Sequence, residues 1–253
     1  MISLPSYATL VRADNPGPMT LEGTNSWVLR GDAGVVVVDP GPDLRQHLDQ
    51  LTSYGRVLLI LLTHGHADHA QSAALLSHRT GAPVAARDPL LCRRSESLQD
   101  EARLDVEGLP TVTVLVTPGH TGDSVCFAVD GSQPMLLTGD TVLGRGSSMV
   151  AHPDGRLADY LASLRRLAQR STGSTVLLPG HGPAGGSALE ALDRAVAHRA
   201  DRLDQVRRAL GAGAQTAEQV AEIVYADVDP GLRSATEATV RAQLAYLADM
   251  PFL

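Results

Sequence analysis

The chain has 253 residues, 43% of them hydrophobic and 19% charged, with a formal net charge of −7. That length and apolar content can bury the core of one large domain, or of a domain with a small appendage, and exclude wholesale disorder. The acidic balance and the 3% aromatic content argue against tight nonspecific nucleic-acid binding and against base stacking.

All 21 basic residues are arginine, which excludes Schiff-base and P-loop lysine chemistry. The longest apolar run, VLLILL at 57–62, falls far short of the ~18 residues of a membrane span, so no membrane partner is expected. No basic segment followed by an apolar stretch opens the chain, and Cys92 and Cys126 are too few for a disulfide framework. A cytoplasmic location is the expectation.

Valine- and leucine-rich runs bounded by Gly, Pro, Asp or Asn predict strands at Ala8–Arg12, Ser26–Arg30, Val35–Val38 and Val57–Leu62. Helices are predicted over Asp43–Ser53 and Asp68–Arg79. Further strands at Val112–Thr117, Ser124–Val129, Met135–Thr138 and Thr175–Leu178 accompany a helix at Leu157–Arg170. That helix carries Leu157, Tyr160, Leu161, Leu164 and Leu167 on one face. Strands arriving consecutively before helices interrupt them point to two sheets with helices on their outer faces, an α/β (α+β) arrangement.

After the Gly-rich stretch 180–186 the pattern becomes helical. Helices are expected from Ser187 to Leu210, from a capping box at Thr216 to Tyr225, and from Asp229-Pro230 onward. The expected organisation is a sheet-bearing domain at 1–186 and a C-terminal helical module at 187–253. Seven arginines face ten acidic residues in that module, net −3, so no DNA partner is expected.

The segment THGHADH at 63–69 follows a predicted strand and concentrates His64, His66, Asp68 and His69 where one loop can aim several side chains at one point. The pattern recurs at Gly119-His120, Gly139-Asp140 and Gly180-His181, each closing a predicted strand with a metal-ligand residue type directly after a glycine. A lone buried histidine is usually a satisfied core residue, but this recurrence is a ligand pattern. Imidazole and carboxylate form the ligand set of zinc, with iron and manganese compatible. Seven candidates are too many for one tetrahedral ion and suit two divalent ions sharing a carboxylate.

THGHADH with His120, Asp140 and His181 resembles the metallo-β-lactamase-fold hydrolase superfamily over residues 8 to about 185. The resemblance implies an αββα sandwich with a dinuclear metal site at one edge. By motif position His64, His66 and His120 would hold one ion, Asp68, His69 and His181 the other, and Asp140 would bridge. Asp39, closing VVVVDPG, matches the superfamily's early aspartate and would orient a ligand from behind; it equally fits a turn before Pro40-Gly41. The implied chemistry is hydrolysis by a metal-bridging hydroxide, with Asp68 and Asp140 as catalytic carboxylates and Asp68 orienting the nucleophile.

Asp140 stands where the best-known zinc β-lactamases carry Cys, so β-lactam hydrolysis is at best a side activity. Only 40 residues separate Asp140 from His181, too few for the inserted domain of the β-CASP nucleases. The loop NPGPMTLEGTN at 15–25, TPGHTGDS around His120, PGHGP around His181, and the C-terminal His198-Arg199, Thr216 and Ile223-Val224-Tyr225 look like the lactamase-beta-like protein 2 group. This extends the resemblance over nearly the whole chain and makes the C-terminal module winged-helix-like. In that group a mammalian member is a single-strand-specific endoribonuclease, and fungal relatives release polyketides by thioester hydrolysis.

The expected function is therefore hydrolysis of a small-molecule thioester or ester. The alternative is a metal-dependent endoribonuclease on single-stranded RNA, which an arginine cluster flanking the metal cleft would favour. A non-catalytic metal- or ligand-binding module would require a broken ligand set, and none of the seven positions is missing. His198 and Arg199 read either as binders of a substrate phosphate or carboxylate or as a solvated helix face. Thr24 and Asn25 read either as lining the mouth or as turn chemistry.

Overall fold

Alternation along the strands divides their side chains between two faces. In β3 (Val35–Val38), Val36 and Val38 enter the core between two sheets, while Val35 and Val37 pack with Leu48, Leu51 and Leu76 of helices outside. The same parity sends Met135 and Leu137 inward and Leu136 outward, and Val176 and Leu178 inward and Leu177 outward. The result, in a computed structural model that describes residues 4–249, is a helix–sheet–sheet–helix sandwich.

The first sheet runs in chain order: β1 (Ala8–Arg12), β2 (Asn25–Arg30), β3, β4 (Val57–Leu61) and β5 (Val84–Ala85). Its first pairings are antiparallel, and β3, β4 and β5 are parallel. The second sheet holds β6 (Arg103–Leu104), β7 (Val112–Val116), β8 (Val125–Val129), β9 (Met135–Gly139) and β10 (Val176–Pro179), paired in that order. Its pairings are antiparallel except β9 with β10. Thr63 O accepts from Val125 N at 2.8 Å and Gly180 O from Asn25 N at 2.7 Å, joining the sheets at the end where β4 and β10 terminate.

Helices α1 (Arg45–Ser53) and α3 (Ala73–Thr80) cover the first sheet. The second sheet is covered by α4 (Leu157–Arg170), α5 (Ala188–Gly211) and α7 (Arg233–Asp249), which share one apolar cluster. Helix α6 (Ala217–Val224) packs with α5 and α7 through Val206, Val220, Val224 and Val240. The Thr216 hydroxyl accepts from Gln219 N at 3.2 Å, as the capping-box reading expects. Among the described residues no strand follows β10, and no helix is long and apolar enough to cross a membrane.

The segment expected as one helix at Asp68–Arg79 is two: α2 (Ala67–Ala70) and α3. Ser72 breaks it, because its N–H donates to Gly41 O at 3.0 Å and its hydroxyl to Pro42 O. Periodicity cannot register that break, since its partners are thirty residues away. The two-residue strands β5 and β6 are too short to show alternation and were not expected. At the third C-terminal helix, Asp229 Oδ1 accepts from Gly231 N at 2.7 Å and a 3-10 turn at Pro230–Leu232 precedes α7.

Candidate metal centre

Each candidate ligand follows a strand at the shared end of the sandwich: His64, His66, Asp68 and His69 after β4, His120 after β7, Asp140 after β9 and His181 after β10. The glycines between strand and ligand sit where a side chain has no room. A Cβ on Gly139 (φ +47°) would lie 2.4 Å from Thr63 Oγ1, and one on Gly180 would lie 2.7 Å from Asp140 Oδ1. Gly139→Ala is therefore expected to destabilise the fold by about 1–3 kcal/mol, through strain and displacement of Thr63. Denaturant midpoints of the two proteins check this.

The side chains converge as two trios. His66 Nδ1 lies 3.0 Å from His64 Nε2 and 3.1 Å from His120 Nε2. Asp68 Oδ2 lies 3.1 Å from His181 Nε2 and 3.4 Å from His69 Nε2, and those two nitrogens are 3.2 Å apart. Asp140 stands between the trios. Its Oδ1 is 3.4 Å from both His69 Nε2 and His181 Nε2, and its Oδ2 is 3.8 Å from His120 Nε2. Donor atoms within each of three overlapping groups (His64–His66–His120, His64–His69–Asp140 and Asp68–His69–His181) lie within 4.8 Å of one another.

Acceptors behind four imidazoles assign their tautomers. His120 Nδ1 donates to Met149 O at 2.6 Å, His181 Nδ1 to Gly23 O at 3.2 Å, and His69 Nδ1 to Asp39 Oδ2 at 2.9 Å. Thr63 Oγ1 gives its own proton to Asp39 Oδ2 at 2.7 Å, so it accepts from His64 Nδ1 at 3.0 Å. Four Nε2 atoms therefore point into one space beside two carboxylates, and Asp140 Oδ1 is buried there without a hydrogen-bond partner. Such a convergence of ring nitrogens and negative charge fits divalent cations.

The electrostatics agree. Burial works against charge on His69 and His181, yet Asp140 and Asp39 outweigh it at His69 and raise its pKa well above the usual imidazole value. Asp140 and Asp68 likewise raise His181 to about 9. Burial resists the Asp140 charge too, but His69 and His181 hold this carboxyl well below its ordinary range. Burial lowers His64 and His120, which stay neutral. The centre draws in positive charge and keeps two imidazoles ready as ligands.

Asp39 is the buried support of this arrangement. It adopts φ +53°, a conformation that costs a non-glycine residue energy, and it accepts from Thr63 N at 2.8 Å, Thr63 Oγ1 and His69 Nδ1. The turn at Asp39 and its hydrogen bond to His69 are thus one feature. Asp39→Ala is expected to weaken metal affinity about 10–100-fold, as loss of a ligand's supporting carboxylate commonly does. Chelator competition measures it.

The geometry and its elements match a known family: the metallo-β-lactamase superfamily model covers residues 19–181. The chain belongs to that superfamily. It is accordingly a hydrolase built on the superfamily's metal-binding fold. A Beta-lactamase-like protein 2 homolog of Caenorhabditis elegans is 28% identical over 258 residues, covering 96% of this chain and 85% of the relative. An atrochrysone carboxyl ACP thioesterase of Aspergillus fumigatus is 30% identical over 210 residues, covering 78% of this chain and 62% of that protein's length. A metallo-β-lactamase family protein of Thermus thermophilus superposes with a TM-score of 0.81 over 98% of this chain and 95% of its own, at 24% identity, a likeness of fold.

A pocket of about 240 Å³ opens on His120 and Asp140 of this superfamily core. Its walls come from the early loop (Met19), the loop after β9 (Leu143, Met149) and the C-terminal module (Val228, Leu232, Ala235). Apart from Met19, which belongs to the NPGPMTLEGTN loop, these apolar walls lie outside the motifs, and spacing gave no signal for them. Thr63, Gly23 and Met149, which hydrogen-bond the imidazoles, were also missed, although Thr63 opens THGHADH and Gly23 lies in NPGPMTLEGTN.

Of the remaining expected residues, Thr24 is fully buried and its hydroxyl reaches Asp68 Oδ2 at 3.3 Å. Asn25 does not line the mouth. It is buried, and its amide donates to Pro179 O at 3.1 Å and Gly182 O at 2.9 Å, holding the loop that carries His181. His198 is half-buried and does not line the pocket. Arg199 does line it, and at 2% exposure it is no solvated helix face. The other arginine of the lining, Arg145, bonds Glu22 Oε1 through Nε at 3.0 Å, so the lining holds one paired and one buried arginine.

Proposed function

We propose that the protein is a dinuclear metal-dependent hydrolase of small-molecule thioesters or esters. The observation that carries this reading is the apolar pocket of about 240 Å³ beside His120 and Asp140. It lies below the ~300–1,000 Å³ of drug-sized sites and suits a short apolar acyl group. The thioesterase name of the fungal relative supports the same reading. RNA cleavage would require cations along a cleft, and the pocket's arginines are one bound to Glu22 and one buried.

In this reading His64, His66 and His120 would hold one ion and Asp68, His69 and His181 the second, with the Asp140 carboxylate between the two groups. Zinc suits the imidazole-rich set, and iron or manganese is compatible with it. When bound, the ions would supply hydroxide at neutral pH and polarise the scissile carbonyl. The residues of the chain do the rest. Asp68, more exposed than the His69, His181 and Asp140 side chains it faces and reached by the Thr24 hydroxyl, orients the attacking water and accepts its proton. The apolar walls exclude bulk water from the acyl group. A C–O bond forms, the C–S or ester C–O bond breaks, and the acid and the protonated thiol or alcohol leave.

Metal-loaded protein offered an acyl thioester of a small thiol and a single-stranded RNA, in parallel, tests the assignment. Thioester turnover without RNA cleavage is expected. RNA cleavage alone would overturn it in favour of an endoribonuclease.

A further inference from the structure

Arg199 lies on α5 at 2% exposure, yet among the described residues no carboxylate pairs with it. Charged side chains are almost never fully buried unless paired. Its guanidinium donates to Ser148 O and lies over the Tyr160 ring, 5.0 Å from the centroid. A guanidinium carries five N–H donors, and these two neutral contacts leave its charge without a counter-ion. The same side chain lines the pocket that opens on His120 and Asp140.

We infer that Arg199 is the counter-ion site for a carboxylate on the acyl part of the substrate. The inference rests on the proposed thioester or ester reading and narrows it to half-thioesters or half-esters of dicarboxylic acids. A pocket with apolar walls and one buried cation fits a ligand with an apolar body and one anionic end. A single cation neutralises a monoanionic carboxylate but leaves a phosphate dianion with net charge in a water-poor site, so phosphate is the poorer fit.

The register between charge and scissile group is built in. Ser148 O holds Arg199 while the next carbonyl, Met149 O, accepts from His120 Nδ1 at 2.6 Å, and Ser148 Oγ lies 3.3 Å from that nitrogen. One short loop thus fixes the cation relative to a candidate metal ligand. The enzyme should accordingly select the length of the chain between carboxylate and thioester.

The test compares adipyl and suberyl thioesters of N-acetylcysteamine with the same chains ending in a neutral carboxamide. A charge-assisted pair predicts kcat/KM about 10–100-fold higher for the better-fitting acid than for its amide. Arg199→Gln should collapse that ratio to about one, and Arg199→Lys should keep part of it. A second readout needs neither turnover nor a variant: calorimetric titration of chelator-treated wild-type protein with adipic acid monoamide and with adipamide. The acid alone is expected to bind.

A wild-type ratio near one, or equal losses for acid and amide in Arg199→Gln, would overturn the inference and leave Arg199 positioning the loop. Preference for a pantetheine-phosphate thioester over the N-acetylcysteamine ester, without preference for the acyl carboxylate, would overturn it as well. Thioester turnover without carboxylate preference refutes this inference alone. Absence of any thioester turnover refutes the proposed function, and the same titration repeated on Arg199→Gln, where acid binding should be lost, still decides whether Arg199 binds a carboxylate.

Discussion

Asp68→Asn is expected to lower hydrolysis about 10²–10⁴-fold while the fold stays intact, the range typical for loss of a positioned acid–base group. The substitution is isosteric and replaces one acceptor oxygen by a donor. Asp68 Oδ2 faces His181 Nε2 at 3.1 Å and His69 Nε2 at 3.4 Å, so an amide N–H there confronts imidazole nitrogens. It also loses the negative charge that orients and deprotonates water. Asp68 is only partly buried, at the start of α2, and no core cluster includes it, so circular dichroism should be unchanged. His66→Ala should show a comparable loss, because the exposed His66 supplies the nitrogen at the centre of the first trio. Near-normal turnover by the Asp68 variant with full metal occupancy would contradict its role.

Stripping the ions is expected to abolish turnover and to lower Tm by on the order of 5–15 °C, from the linkage between ligand binding and folding in a chain of this size. Without cations, the lone pairs of the two trios and the carboxylates of Asp68 and Asp140 face one another. Protons then serve as substitutes. His181 is raised to about 9 by Asp140 and Asp68 against the cost of burial, while its unfolded value is near 6.5. A group raised on folding stabilises fully below its unfolded pKa, and that stabilisation is lost as pH rises through the folded value. The stripped protein should therefore lose stability between about pH 6.5 and 9, and the Tm gap to the loaded protein should widen over that window. Thermal melts at several pH values, with and without chelator, measure this; a gap that narrows with rising pH would contradict it.

How much of this was legible in the sequence depends on how local the cause is. The strands at 35–38 and 57–61 declare themselves because their residues are apolar on both faces, and both faces are covered. The converging side chains were legible because each follows a strand, and parallel strands end on one edge. Asp39 was ambiguous in sequence, since a turn and a support for His69 look alike before the partner residues are known. The split of α2 from α3 depends on Ser72 meeting the loop at Gly41 and Pro42, a tertiary contact that no local pattern reports. Arg199 shows the limit most plainly. Its neighbours on α5 include exposed residues, so a solvated face was a fair reading, and only the packing of α5 against Tyr160 and Ser148 buries it. The apolar pocket likewise assembles from three distant segments.

The most direct test of the central claim is a zinc titration into stripped protein, following thioester turnover and counting bound metal by mass spectrometry. Turnover is expected to rise with added zinc and to saturate at about two equivalents per chain, with no more than residual activity in the stripped protein. Full turnover in metal-free protein, or saturation at a single equivalent, would contradict a two-ion centre formed by His64, His66, Asp68, His69, His120, Asp140 and His181.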